Sequence, residues 1–212
     1  MVHFIKIVSV LLSVKLINLN IYLIAMEFTF KNASTKQDFE QILELQRQNL
    51  YTLISKEDQE KQGFVFAEHT IELLETLAID LPQVIAIHHG KVIGYNLSMS
   101  ASMKEVLPSI TPMFHAFETC NFNNKPLKDF RYIVGGQVCV DKDFRGHGLL
   151  GQLYCETKRL VSRDYEACVT EISVRNSISL KAHQKLGFEV IGTYHDGIEQ
   201  WNIVAWDFNR HQ

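Results

Sequence analysis

From residue 26 onward the apolar positions of this chain alternate between two periods. Glu27-Phe28-Thr29-Phe30-Lys31 repeats every second residue, the pattern of a half-buried strand. Ser34 then stands as a helix cap with Gln37 three residues on, the spacing of a capping box. Phe39, Ile42, Leu43 and Leu50 follow on one helical face. Residues 51–69 are polar, contain Gly63 and read as a loop. Thr70 caps a second helix whose inward residues are Ile71, Leu74, Leu77 and Ala78. The runs 83–88 and 91–99 read as strands joined at His89-Gly90, a short hairpin turn. Residues 104–130 hold Pro108, Pro112 and Pro126 and read as an irregular excursion with some helix around 113–119.

The run 132–140 is a strand, apolar over much of its length and therefore placed near the centre of a sheet. A loop over 141–148 leads into a helix from about Leu149 to Arg163, with Leu149, Leu150, Leu153, Tyr154, Leu160 and Val161 as its buried stripe. Residues 167–174 are rich in β-branched side chains and read as a strand. Asn176 and Ser177 open a short helix that ends at Gly187, a residue suited to the position after a helix C-cap. Runs 190–194 and 201–208 close the chain as a hairpin, with Asp196-Gly197 near its turn. Strands and helices interleave, so the expected fold is α/β (α+β): one mixed sheet with helices on both faces.

The first 25 residues break this regularity. They are strongly apolar and carry no acidic residue, but Lys6, Lys15, Asn18 and Asn20 interrupt them. A lysine near the middle of a membrane span costs about 2.5–3.5 kcal/mol, which argues against a stable transmembrane helix. Residues 1–25 therefore read as an apolar leader with three open assignments: a segment preceding a natural start at Met26, a signal or anchor, or a structured extension. Residues 26–212 read as a single domain.

Composition narrows the function only by exclusion. Net charge is -3 and no basic run stands out, so nothing points to nucleic acid or to an anionic membrane. Cys120, Cys139, Cys155 and Cys168 form no C-x-x-C pair and no zinc-like Cys/His cluster, so no metal is expected. They read as free thiols of a reducing compartment.

The candidate chemistry lies where the strand ending at Val140 runs into Arg145-Gly146-His147-Gly148-Leu149-Leu150-Gly151 and then a helix. Three glycines let the backbone approach a ligand, the first helical N–H groups point outward, and Arg145 adds positive charge. Such a turn suits an anion. Beyond it come Asn176, Ser179, His183 and Gly187-Phe188.

These paired motifs resemble the signature of the GNAT superfamily of N-acetyltransferases. Arg145, Gly148 and Leu150 occupy its Arg/Gln, Gly and Gly/Ala positions, with Leu150 departing from the usual small residue. Asn176, Ser179, His183 and Gly187-Phe188 match its second half. The resemblance spans roughly residues 26–208. A His at position 183 and the segment Trp201…Trp206-Asp207-Phe208 resemble the phosphinothricin-acetyltransferase-like branch.

The resemblance implies a mostly antiparallel sheet of about six to seven strands with a splayed central pair, and acetyl-CoA as co-substrate. It implies that Val138, Cys139 and Val140 pair with the pantetheine arm, with a backbone N–H near Val138 or Cys139 polarising the thioester carbonyl. The pyrophosphate would lie on 146–151, with Asn176 and Ser179 completing the cofactor site. His183 would protonate the departing thiolate, in the place where the family often has Tyr. Acetyl would pass directly to a primary amine, on a small molecule or a peptide, and acetyl-CoA implies a cytoplasmic setting. Asn49, Tyr51, Phe64 and Phe66 would wall the acceptor pocket, and a homodimer is common in the family. Glu171 is a candidate base, with a water chain as the alternative. Cys139 is not expected to act as a nucleophile, and His88, His89 and His115 are expected to have no catalytic role. Two other functions stay open: a CoA-binding sensor module without catalysis, and an acyltransferase using a longer acyl-CoA.

Overall fold

The computed structural model describes residues 28–210, so the leader 1–25 and Glu27 lie outside the described residues. Seven strands make one sheet: β1 (Thr29–Asn32), β2 (Val84–His88), β3 (Lys91–Ser100), β6 (Tyr132–Val140), β7 (Ala167–Ser173), β8 (Glu189–His195) and β9 (Gln200–Asp207). Their order is β1-β2-β3-β6-β7-β9-β8, and every neighbouring pair is antiparallel except β6 and β7. The expected mixed sheet is the observed one. His89 and Gly90 turn the β2–β3 hairpin with φ of 48° and 79°, the left-handed geometry of a two-residue primed turn.

Helices cover both faces. On one side α1 (Lys36–Arg47), α3 (Ile71–Asp80) and α4 (Thr111–Glu118) bury Phe39, Ile42, Leu45, Leu74, Leu77, Phe114 and Phe117 against Tyr95, Leu97, Val169, Ile203 and Ala205. On the other, α5 (Leu149–Val161) sets Leu149 and Leu153 under Val84, Ala86 and Ile93. Its Tyr154 and Val161 reach Cys168, Ile172 and Trp206. Strand alternation explains the division. Ala167 and Val169 face the first layer, Cys168 and Ile172 the second.

Local structure departs from the sequence expectation in three places. The cap of α1 is Thr35, not Ser34. Its hydroxyl accepts the Asp38 N–H at 3.1 Å, while the Asp38 carboxylate accepts the N–H groups of Ser34 and Thr35 and an ion pair from Lys31. Residues 51–69, expected as loop, carry α2 (Lys56–Gln62), capped by Ser55 and burying none of its side chains. The excursion carries the expected helix as α4 and, unexpected, a two-strand hairpin of β4 (Asn121–Phe122) and β5 (Lys125–Pro126), turned by Asn123 and Asn124 at positive φ.

Candidate active site

The sheet opens between β6 and β7. They pair only over Tyr132–Val134 and Ala167–Val169, after which the strands part. Toward β3 the register of β6 skips Gly136, a bulge that bends the strand where it leaves β7. Thr170 spans the start of the gap, its hydroxyl donating to the Gly135 carbonyl at 2.6 Å. A cavity of about 480 Å³ lies along the free end of β6 and runs to the N-terminus of α5.

That helix begins in an unusual way. Gly148 is its N-cap at φ 73°, left-handed, with no side chain capping the first turn. Gln152 N–H, bonded to the Gly148 carbonyl at 3.1 Å, follows the uncapped N–H groups of Leu149, Leu150 and Gly151. Gly146, at φ 83°, has open space where a Cβ would stand. Unpaired donors, a helix dipole and bare backbone fit a pyrophosphate.

No protein-family model and no curated protein matches the chain. Solved structures do. A chain of the NatC complex bound to Gag peptide and CoA overlays with a TM-score of 0.59 at 15% identity, over 86% of this chain and 99% of its own. NAA60 of Arabidopsis thaliana in complex with acetyl-CoA gives 0.59 at 12% identity, over 85% and 99%. An N-acetyltransferase from Staphylococcus aureus gives 0.56 at 20% identity, over 86% and 99%. The fold is that of the GNAT N-acetyltransferases. None of these proteins singles out the phosphinothricin-like branch.

Within the GNAT fold, Val138, Cys139, Val140, Arg145, Gly146, Gly148, Leu149, Leu150, Gly151, Asn176 and Ser179 all line the one cavity. His147 does not line it and is exposed. The small residue that this turn requires is Gly151, one position after Leu150: a Cβ on Gly151 would stand 2.9 Å from Leu186 Cδ2. Leu150 instead packs with the cluster beneath the sheet and borders the cavity. Asn176 caps α6 (Ser177–Lys185) by accepting the Ser179 N–H at 3.2 Å. Its amide donates to the Phe64 carbonyl at 2.8 Å.

Arg145 differs from expectation. Rather than projecting at an anion, its guanidinium donates to the carbonyls of Val140 and Gln62, to Gln62 Oε1 and to Asn49 Oδ1, at 2.5–3.2 Å. All four acceptors are neutral, so none of these bonds is an ion pair. Arg145 and Asn176 thus tie the segment around α2 to the far wall of the cavity. Gln62, Phe144, Ile178, Ala182 and Lys185 also line the cavity and were not foreseen. Lys185, in the last turn of α6, had no spacing that marked it.

His183 is the main disagreement. It is 2% exposed, does not line the cavity, and sits among Tyr154, Phe188 and the core beneath β7. Its Nδ1 donates to the Ser179 carbonyl at 2.8 Å, and its Nε2 lies 2.9 Å from the Tyr154 hydroxyl. Burial pulls its pKa down to about 4, so the imidazole is neutral near pH 7. A Schellman motif fixes it there: Phe188 N–H bonds the His183 carbonyl, Gly187 N–H the Gln184 carbonyl, and Gly187 takes φ 91°. Cys139 is likewise a buried thiol, pushed up to about 12 by burial.

On the α1-facing side of the opening, outside the lining of the cavity, stands Glu171, two residues beyond the last β6–β7 pair. Burial raises its carboxyl to about 7, against a hydrogen bond from the Tyr194 hydroxyl and with the field of Asp196 adding to the rise. Nearby, Tyr51 stacks on Phe66 at 4.3 Å between centroids and Phe66 meets Trp201 edge-on at 5.0 Å. Gln137, just past the bulge, accepts from Tyr95 and Gln46 and donates to the Ala67 carbonyl. Gln46 in turn lies 2.5 Å from His69 Nδ1. This network holds the loop after α2 against β6. Among the described residues no group of three or more His, Cys, Asp or Glu side chains is placed to hold a metal, and no helix is long and apolar enough to cross a membrane.

Proposed function

We propose that this protein transfers acetyl from acetyl-CoA to a primary amine, directly and within a ternary complex. The observation that carries this reading is the cavity between the parted strands, ending at the uncapped, glycine-lined start of α5. Acetyl-CoA supplies an activated thioester. The α5 N-terminus would hold its pyrophosphate, with Lys185 and Arg145 as neighbouring positive charges. The backbone of Val138–Val140, left free where β7 departs, would hold the pantetheine arm. An N–H there would polarise the carbonyl as charge develops on its oxygen.

Glu171 is assigned as the base. It takes one proton from the incoming ammonium, the neutral nitrogen forms the new N–C bond, and the C–S bond breaks. The second nitrogen proton passes through water to the thiolate, so protons balance without His183. A CoA-binding module without catalysis is the second reading, and the burial of His183 away from the cavity is the observation that favours it.

Calorimetry and a thiol-release assay separate the two. Acetyl-CoA is expected to bind, to raise the melting temperature with its concentration, and to release CoA thiol only when an amine is present. Tight binding with no amine-dependent release across aliphatic, aryl and peptide amines would establish the module. No binding at all would remove both.

A further inference from the structure

The geometry points to an organic cation as the acceptor: a primary amine on a flat hydrophobic body, carrying no carboxylate. This rests on the acetyl-transfer reading above. Three independent features support it. The walls are aromatic. Tyr51 and Phe66 are stacked, and Phe66 meets Trp201, whose strand neighbour across β8 is Tyr194. Such faces favour flat apolar groups and attract cations.

The acidic side chains have no salt-bridge partner among the described residues. Neither Glu171 nor Asp196 has an ion-pair partner within 4 Å among the described residues. Glu171 is bound by the Tyr194 hydroxyl, Asp196 by Trp201 Nε1 at 2.9 Å and by the N–H groups of Ile198 and Glu199. The nearby guanidinium, Arg175, is already paired with Glu199 and lies over Phe64, 5.4 Å from its ring centroid. An ammonium entering here meets two carboxylates. A carboxylate on the same molecule meets repulsion from both, and the guanidinium beside them, Arg175, is already paired with Glu199.

The patch also joins the cofactor cavity. Phe64 lines that cavity and lies 6.3 Å from the ring of Tyr51. Phe64 therefore stands between the cavity and the aromatic and acidic patch, whose other residues lie outside the cavity lining.

A matched pair of acceptors tests the inference. Phenethylamine and phenylalanine share the ring and the amine and differ by one carboxylate. With the full-length protein and acetyl-CoA, kcat/KM for phenethylamine is expected to exceed that for phenylalanine by about 100-fold, the scale of a like-charge juxtaposition. The Asp196→Asn variant is expected to narrow that ratio, and Trp201→Leu to raise KM for phenethylamine while acetyl-CoA affinity holds. Calorimetry on the protein–CoA complex gives a readout independent of turnover: phenethylamine binds and phenylalanine does not. Equal or faster turnover of phenylalanine, or of a tetrapeptide with a free N-terminus, would overturn the acceptor class and leave acetyl transfer standing. Binding of phenethylamine with no thiol release would overturn acetyl transfer and leave the cation site standing.

Discussion

Two ionisable side chains on neighbouring elements have opposite fates, and desolvation decides both. His183 is sealed among aromatic rings and held near 4; Glu171 is half-buried beside a parted strand and held near 7. A group at about 4 donates no proton near neutrality, whereas one at about 7 is poised to accept. Acceptor kcat/KM is therefore expected to climb as pH rises through about 7, where the Glu171 carboxyl ionises. Glu171→Gln is expected to abolish that inflection and lower kcat by roughly 10²–10⁴-fold, with acetyl-CoA affinity unchanged in calorimetry. His183→Ala is expected to behave differently. It leaves the buried Tyr154 hydroxyl without its partner and costs roughly 1–3 kcal/mol of stability, while turnover per folded molecule stays near wild type. A kcat collapse in folded His183→Ala, with Glu171→Gln active, would reverse these roles.

At the scale of elements, the glycine turn and the segment around α2 are one mechanical unit. Arg145 reaches from the end of β6 to Asn49 and Gln62, and Asn176 from the start of α6 to Phe64. Lysine at 145 keeps the charge but not the planar fork that serves several acceptors. Arg145→Lys is thus expected to raise acceptor KM several-fold while changing acetyl-CoA affinity less, and steady-state kinetics beside calorimetry resolve the two. If acetyl-CoA affinity alone falls, Arg145 is a phosphate ligand and not a strut.

The glycine turn and the Asn176 cap were legible in sequence because each is a local rule. A left-handed N-cap demands glycine, and an Asn side chain satisfies the N–H three residues on. The α1 cap was misread by one residue because Ser34 and Thr35 both begin plausible boxes; the Asp38 carboxylate, which Lys31 also pairs, decides for Thr35. Helix α2 left no trace because it buries nothing and so shows no apolar stripe. The direction of His183 was hidden for another reason. On a helix, the face it takes depends on Tyr154 from α5, itself packed on Trp206 from β9, neither local in sequence.

Across the whole molecule, these buried groups set how folding responds to acid. His69, close to Gln46 under the α2 loop, is also held to about 4 by burial, like His183. Between pH 6.5 and about 4 the unfolded chain binds protons at both positions and the folded chain does not, so stability falls as pH falls. Glu171 acts the other way. Its folded pKa lies above its unfolded one, so between about 7 and 4.5 the folded state holds the extra proton and acid favours folding. Two imidazoles oppose one carboxyl, and the net trend is loss of stability. Below that window Asp38, Asp141 and Glu199, all held low by their hydrogen bonds and basic partners Lys31, Lys91 and Arg175, add to the loss as they protonate. The melting temperature is therefore expected to drop steadily from pH 6.5 to 4.5. Glu171→Gln should steepen the drop by removing the opposing group, and His69→Gln combined with His183→Gln should flatten it. A wild-type melting temperature that holds level or rises over this range would mean that the two imidazoles are not buried as neutral bases, and the packing of α6 against α5 and β9 would need another account.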